Sequence, residues 1–160
     1  MWALRGVTLP LIASTALGAG CGVKFIVEQP FYARRVCSAA VVPIAIDKSQ
    51  EEYRQIYYPQ FLDRFRRAFE GRVRVVDWTG DRGLNWEEAV AEGRRLGADA
   101  VVGVLIDDSD YPPKRIEILK VVRASDGRVI VRQNRLIPPT EPYEFESELG
   151  QLKKLIRCDR

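Results

Sequence analysis

The chain has 160 residues, 46% of them hydrophobic, so it is long enough for one domain with a core and hardly for two. It contains no histidine, which excludes Ser-His-Asp hydrolytic triads and histidine-containing metal sites. The 25 basic and 22 acidic residues nearly balance, so the net charge gives no reason to expect a nucleic-acid partner.

Residues 1–20 have the three-part layout of a secretory signal. Arg5 supplies the positive start, an apolar stretch covers residues 7–17, and small residues then precede Cys21. The alternative is a transmembrane anchor, but the apolar stretch has only about half of the ~20 residues that a spanning helix needs. We therefore predict a signal peptide over residues 1–20.

The end of this leader, Leu17-Gly18-Ala19-Gly20-Cys21, resembles the lipobox of bacterial lipoproteins. The resemblance implies that Cys21 is lipidated and that the leader is removed before it. Gly22, where some lipoproteins have an aspartate, implies sorting to the periplasmic face of the outer membrane. Each buried acyl methylene contributes about 0.8 kcal/mol, so two or three acyl chains give lasting membrane attachment. The alternative is an ordinary secreted protein, cut nearby and free in the periplasm.

The mature chain divides into a lipidated tether over residues 21–36 and a single α/β domain over residues 37–160. Near its end the tether is expected to become an edge strand or a surface lid. Residues 38–46 form the first apolar strand. Pro43 cannot donate a hydrogen bond to a ladder, so this strand is expected at an edge of the sheet or bulged there.

An amphipathic helix follows this strand. Ser49 and Glu52 have the spacing of a capping box, and aromatic residues then recur every three or four positions up to Phe69. Pro59 lies inside the pattern and is expected to kink or split the helix.

The next segment has the pattern of a βαβ unit. Residues 72–78 alternate like a strand, and a helix capped at or near Asn85 follows. Gly93 on the apolar face lets this helix lie close to the sheet, and Gly97 supplies a left-handed cap. Residues 97–106 form an almost uncharged run, typical of a central strand covered on both faces. The two strands are expected to be parallel.

The last third begins with an acidic loop over residues 107–113, followed by a hairpin around Asp126-Gly127. A three-residue turn sets Val122 opposite Ile130 and Val121 opposite Val131. A final helix runs from about residue 144 to Cys158. The predicted fold class is α/β, with a single-layer mixed sheet of about five strands packed with two to three helices, in the order β-α-β-α-β-β-β-α.

Three motifs resemble the periplasmic α/β domain shared by the amino-terminal region of TolB and by CsgG. They are the strand Ala40-Val41-Val42-Pro43, the helix-to-strand junction over residues 91–103 with Leu96-Gly97-Ala98-Asp99 at its centre, and the hairpin over residues 121–130. The similarity covers roughly residues 38–136. It implies a scaffolding role in an envelope assembly, and several members of that group form rings. The chain has no room for the long alternating segments of a transmembrane pore.

Two alternatives stand for Cys37 and Cys158: a disulfide formed in an oxidising compartment, or two unpaired or intermolecular thiols. A set of aromatic residues could likewise form an interface or belong to the core. That candidate interface consists of Tyr53, Tyr57, Tyr58 and Trp78.

Charged side chains give two further candidates. Asp107, Asp108 and Asp110 could bind a cation or act as an acid/base pair, but they lack the spacing of a calcium loop, so a solvated turn is favoured. Two arginine groups are predicted to be solvated helix faces, with contacts to phosphate or anionic glycans as the alternative. They are Arg64, Arg66 and Arg67, and Arg94 and Arg95.

These observations predict a non-catalytic outer-membrane lipoprotein that binds or scaffolds an envelope, secretion or export assembly, as a homo-oligomer or with envelope proteins. No cofactor and no metal are expected. The alternatives are a periplasmic enzyme that uses carboxylates and a carrier of a small ligand.

Overall fold

The structure is a computed structural model that describes residues 24–110, 114–137 and 145–159. Within these ranges the chain forms six strands and four helices. In order they are β1 (Phe25–Val27), α1 (Pro30–Ala33), β2 (Ser38–Val41), α2 (Lys48–Phe69), β3 (Arg74–Val76), α3 (Trp86–Arg95), β4 (Ala100–Asp110), β5 (Lys114–Arg123), β6 (Val129–Ile137) and α4 (Glu146–Leu155).

All six strands belong to one mixed sheet with the order β1-β6-β5-β4-β2-β3. β2 is parallel to both β3 and β4, whereas β4, β5, β6 and β1 pair antiparallel in turn. The predicted single-sheet α/β class is confirmed. The sheet has six strands rather than about five because part of the predicted tether pairs with β6 as β1.

The central position predicted for residues 97–106 is confirmed, since β4 lies between β5 and β2. Its side chains alternate between two cores. Val102 and Val104 point to the core under α2 and α4, while Val101 and Leu105 point to the core under α3. A strand covered on both faces needs no polar alternation, which explains the uncharged run over residues 100–106.

Helix α2 differs from its prediction at two points. Its N-cap is Asp47 rather than Ser49, because the Asp47 carboxylate accepts hydrogen bonds from the amides of Ser49 at 2.9 Å and Gln50 at 3.1 Å. The helix is also not split at Pro59. Buried aromatic residues on both sides of the proline, Tyr57 and Phe61, hold it against the sheet, so packing outweighs the lost backbone bond.

Helix α3 forms as predicted. Asn85 and Glu88 make a reciprocal capping box. A Cβ at Gly93 would lie 2.2 Å from Cγ2 of Val101, so only glycine permits this close approach of helix and strand. Gly97 has a φ of +67°, the left-handed conformation that glycine adopts without strain.

Pro43 does not mark an edge strand or a bulge. β2 ends at Val41, before the proline, and lies inside the sheet between β4 and β3. Because the strand stops short of the ring, no ladder donor is missing. The carbonyl of Pro43 instead accepts a hydrogen bond from the amide of Leu84 at 2.9 Å.

The two hairpins correct the predicted acidic loop and turn register. β4 continues to Asp110, and Asp107 pairs with Ile116, so pairing with β5 outweighs the turn preference of the aspartates. In the second hairpin Val121 lies opposite Val131 as expected. Val122, however, pairs with Val129 rather than Ile130, because the register shifts between Val121 and Val122.

Candidate functional site

The predicted lipidation site, Cys21, and the leader lie outside the described residues. The described chain begins at Lys24, and β1 begins one residue later. An extended chain spans at most about 3.6 Å per residue, so the four steps from Cys21 to Phe25 cover about 14 Å at most. Any lipid on Cys21 therefore lies close to the β1 side of the sheet. Among the described helices, none is long and apolar enough to cross a membrane.

We call the surface formed by β1, α1 and residues 156–159 the anchor-side edge. Backbone hydrogen bonds fasten α1 and the residues after it to the carboxyl terminus. The amide of Val36 donates to the carbonyl of Arg157 at 3.1 Å, and the amide of Arg157 donates to the carbonyl of Ala33 at 2.9 Å. β1 is fastened separately, by antiparallel pairing with β6. The anchor-side edge is thus part of the folded body.

A disulfide closes the anchor-side edge. Cys37, just before β2, and Cys158, just after α4, are bonded, with their Cα atoms 4.5 Å apart. The folded chain thus places side by side two cysteines that are 121 residues apart in sequence. The bond ties the start of β2 to the end of the chain, next to the segment that carries α1.

Exposed apolar side chains concentrate on this side of the molecule. Phe31 is 57% exposed, Tyr32 is 37% exposed and Ile26 is 46% exposed. Of the six large apolar residues exposed in the described ranges, these three and Leu136 lie on β1, α1 or β6. Isolated exposed apolar residues are ordinary, but a concentration beside a predicted lipid attachment indicates a contact surface.

Arginines lie over both aromatic rings of α1. The guanidinium carbon of Arg35 is 4.0 Å from the ring centroid of Phe31, and that of Arg123 is 3.8 Å from the centroid of Tyr32. The two rings meet edge to face, with centroids 5.2 Å apart. This end of the molecule therefore presents apolar rings and cations together.

Two grooves flank α1, and both have basic walls. Pro30 and Arg34 contribute to both grooves. The charged residues of the grooves are Arg34, Arg35, Lys154, Arg157 and Asp159. The single acid, Asp159, lies 3.1 Å from Nε of Arg157 in an ion pair. The grooves therefore carry a net positive charge.

The predicted aromatic interface is not one surface. Tyr57 is 1% exposed, and its hydroxyl lies 2.8 Å and 2.7 Å from the carbonyl oxygens of Ile44 and Val104, so of the two alternatives it belongs to the core and not to an interface. Tyr53 and Tyr58 pack on the same core. Trp78 packs on the core at the opposite face of the sheet.

Tyr58 is bonded inside the fold. Its hydroxyl donates a hydrogen bond to the carbonyl of Val41 at 2.8 Å. Burial is the main cause that raises the pKa of Tyr58 to about 12. Its hydroxyl group is therefore hydrogen-bonded within the domain and does not indicate a contact with a partner.

The arginine groups predicted to be solvated form ion pairs with nearby acids. Arg66 pairs with Asp77, and Arg67 lies 2.8 Å from Asp63. Arg95 lies 2.8 Å from Glu92, whereas Arg94 is exposed and donates to the carbonyl of Ala124. Arg64 is half-buried and also has an interaction partner.

The three aspartates of the predicted acidic loop belong to strand β4. Asp107 is half-buried on β4 and has an interaction partner, while the side chains of Asp108 and Asp110 lie outside the described part. Within the described ranges, no three Cys, Asp or Glu side chains are grouped to hold a metal ion.

A buried carboxyl cluster between β5, β6 and α4 was not predicted. It consists of Glu117, Gln133, Arg135 and Glu148, three of which are at most 2% exposed. Arg135 donates a hydrogen bond to Glu148. Glu117 Oε1, both amide atoms of Gln133 and Glu148 Oε2 have no hydrogen-bond partner among the described atoms.

Burial, followed by the nearby charge of Glu148, raises the pKa of Glu117 to about 8, while Arg135 opposes the rise. The sequence signal that could have predicted this cluster is the alternation of side chains between the two faces of β5. Glu117 has the same parity as Leu119 and Val121, whose side chains enter the core.

No family model matches the chain, and no curated protein matches it in sequence. Solved structures do match. A dodecamer of a PelC point variant from Paraburkholderia phytofirmans is 14% identical, with a TM-score of 0.50, and the match covers 86% of this chain and 98% of that one. A PelC dodecamer from the same organism is 13% identical, with a TM-score of 0.44 and coverages of 83% and 89%.

Lipoprotein GNA1162 from Neisseria meningitidis is also 13% identical, with a TM-score of 0.44 and coverages of 74% and 91%. These identities show similarity of fold alone, and the first PelC structure is the one with a TM-score that reaches 0.50 among the three. None of the three is TolB or CsgG, so that resemblance stays a prediction. The chain thus shares its sheet-and-helix architecture with PelC.

Proposed function

We propose that this chain is a non-catalytic lipoprotein of the bacterial outer membrane, whose α/β domain scaffolds or binds an envelope assembly as a homo-oligomer. The observation that carries the proposal is the lipobox-like sequence ending at Cys21, four residues before the first strand of a folded body. Lipidation there holds the domain directly at the bilayer surface.

The fold supports the homo-oligomeric part of the proposal. The PelC structure with the similar architecture is a dodecamer. A domain of this architecture can therefore assemble from many copies. Attachment of every copy to one membrane surface favours such assembly, because it raises the local concentration of the domains.

The burial of the carboxyl cluster argues against catalysis by its two carboxylates. Glu117 is 2% exposed and Glu148 is 0% exposed, so a substrate from solvent does not reach either carboxylate in this conformation. General acid/base catalysis needs the group within hydrogen-bond reach of the substrate. An enzyme that used Glu117 or Glu148 would require an opening of the fold at α4.

Replacement of Cys21 by serine tests the anchor. Cys21→Ser should abolish incorporation of a labelled fatty acid and move the protein out of the outer-membrane fraction. The double variant Cys37→Ser/Cys158→Ser is the control, because it loses the disulfide and keeps Cys21. Unchanged fractionation of Cys21→Ser would refute the proposal.

The assembly is tested separately from the anchor. Light scattering of the lipidated protein in detergent should give a mass of several protomers, and crosslinking of intact membranes should capture the same multimer. Recovery of monomer alone from both experiments would refute the scaffold proposal while leaving the lipoprotein assignment in place.

A further inference from the structure

We propose that the anchor-side edge is itself a membrane-binding surface, seated on an anionic phospholipid bilayer with the ring of Phe31 inserted among the lipid headgroups. This inference rests on the proposed function, because it takes the lipid on Cys21 as the first attachment. It adds a second attachment, made by the folded domain, that sets how the domain is oriented on the bilayer.

The short connection to Cys21 limits which side of the domain can face the bilayer. The reach from Cys21 to Phe25 is about 14 Å at most. A folded body of about 140 residues has a radius of gyration of about 14 Å and is therefore roughly 36 Å across. Because the reach is less than half of that width, the β1 side must lie next to the membrane.

The side so placed carries the apolar groups that a bilayer interface accepts. Phe31 is 57% exposed, and Ile26 on β1 is 46% exposed. Ile46 has a similar exposure of 61%, but it lies after the end of β2, whereas Cys37 lies before the start of that strand. Because β2 is four places from β1 in the order of the sheet, Ile46 lies away from β1 and serves as a comparison.

The charges around α1 fit lipid phosphate. Arg34 lines both grooves beside the helix, and Arg35 stacks on Phe31. Lys154 and Arg157 line the second groove. Arginine and lysine keep their charged ends at the headgroup level while aliphatic stems and neighbouring rings lie deeper. This combination selects a bilayer with negative headgroups.

The anchor-side edge is also rigid enough to act as a fixed surface. The disulfide between Cys37 and Cys158 and the backbone bonds of Val36 and Arg157 hold α1 to the body. A ring that is already ordered loses little conformational entropy when it binds. Insertion of Phe31 therefore fixes the tilt of the whole domain.

Quenching of tryptophan fluorescence by brominated lipids tests the inference. The lipidated mature protein is placed in vesicles of phosphatidylethanolamine and phosphatidylglycerol with brominated acyl chains. The variants Phe31→Trp and Ile46→Trp have the same background fluorescence, which comes from Trp78 and Trp86. The tryptophan added at position 31 should lose at least half of its emission, and the one added at position 46 should be unaffected.

A second arm tests the role of charge in the Phe31→Trp background. Arg34→Ala, or vesicles of phosphatidylcholine alone, should reduce the quenching at least twofold. Arg67→Ala is the matched control, since its side chain is exposed on α2 and paired with Asp63, and it should change nothing. Equal effects of the two arginine variants would overturn the assignment of the basic grooves to phosphate.

Flotation of the vesicles separates this inference from the proposed function. Protein that floats but shows no quenching at position 31, or equal quenching at positions 31 and 46, overturns the membrane-binding surface and leaves the lipid anchor standing. Protein that does not float with the vesicles overturns both. Quenching confined to position 31 supports the inference.

Discussion

Asp99 and Ser38 exchange hydrogen bonds at the start of two parallel strands, Ser38 as the first residue of β2 and Asp99 as the residue before β4. The hydroxyl of Ser38 donates to the Asp99 carboxylate at 3.0 Å, and the backbone amide of Asp99 donates to that hydroxyl oxygen, also at 3.0 Å. The same carboxylate accepts the backbone amides of Ser38 at 2.8 Å and Cys37 at 3.0 Å. The acid of the Leu-Gly-Ala-Asp junction thus fixes the start of β2 beside the disulfide.

Removal of the Asp99 carboxylate should destabilise the fold. Asp99→Ala leaves two backbone amides without their acceptor, which lowers the free energy of unfolding by about 1–3 kcal/mol. Asp99→Asn keeps one acceptor oxygen and should lose less. Urea denaturation measures both. In a double-mutant cycle with Ser38→Ala, a coupling energy near zero would contradict the paired arrangement.

Gly93 should not tolerate alanine. The added methyl would lie 2.2 Å from Cγ2 of Val101, so Gly93→Ala should lower the free energy of unfolding by about 1–3 kcal/mol despite the higher helix propensity of alanine. Gly150→Ala is the matched control. Gly150 is inside α4 and exposed, with no atom near the new methyl, so this change should stabilise by about 0.5–1 kcal/mol.

The clash itself can be tested by a second substitution. Val101→Ala removes the colliding Cγ2 atom. The double variant Gly93→Ala/Val101→Ala should therefore be more stable than the sum of the two single losses predicts. Strict additivity would show that the cost at Gly93 does not come from Val101.

Elements whose signals are local were predictable from sequence. The Asn85 capping box, the close approach at Gly93 and the cap at Gly97 each depend on a few neighbouring residues. The uncharged run of β4 depends on burial alone. Such features follow from backbone conformation and periodicity.

Elements that depend on distant partners were not predictable in the same way. β1 is a strand because β6 offers it an edge, and β4 extends through its aspartates because β5 pairs with them. At the candidate site, the grouping of α1 with residues 157–159 is set by the closure of the whole chain. The sequence pattern alone also could not separate the core side chain of Tyr57 from an interface side chain.

Loss of the disulfide should lower stability substantially. Its two cysteines are 121 residues apart, for which the chain-entropy estimate is about 5 kcal/mol at most. The variant Cys37→Ser/Cys158→Ser should therefore lose about 2–4 kcal/mol of its free energy of unfolding. It should unfold at a lower urea concentration than the wild type. Mass spectrometry of the unreduced wild-type protein should recover one crosslinked peptide pair that contains both residues. Free thiols at both positions in the cell would contradict this prediction.

Glu117 should make the stability depend on pH. Its pKa rises from the ordinary 4.5 to about 8 in the fold, so the folded chain binds this proton more tightly than the unfolded chain does. The resulting stabilisation is complete below pH 4.5 and is lost as the pH rises through 8. Between pH 5 and pH 9, the Tm of the wild type should fall by roughly 5 °C more than the Tm of Glu117→Gln. This shift corresponds to a difference in the free energy of unfolding on the order of 2 kcal/mol. Glu52→Gln, at an exposed position on α2, is the control and should show the same dependence of Tm on pH as the wild type. If Glu117→Gln also shows the wild-type dependence, the Glu117 carboxyl is not its source.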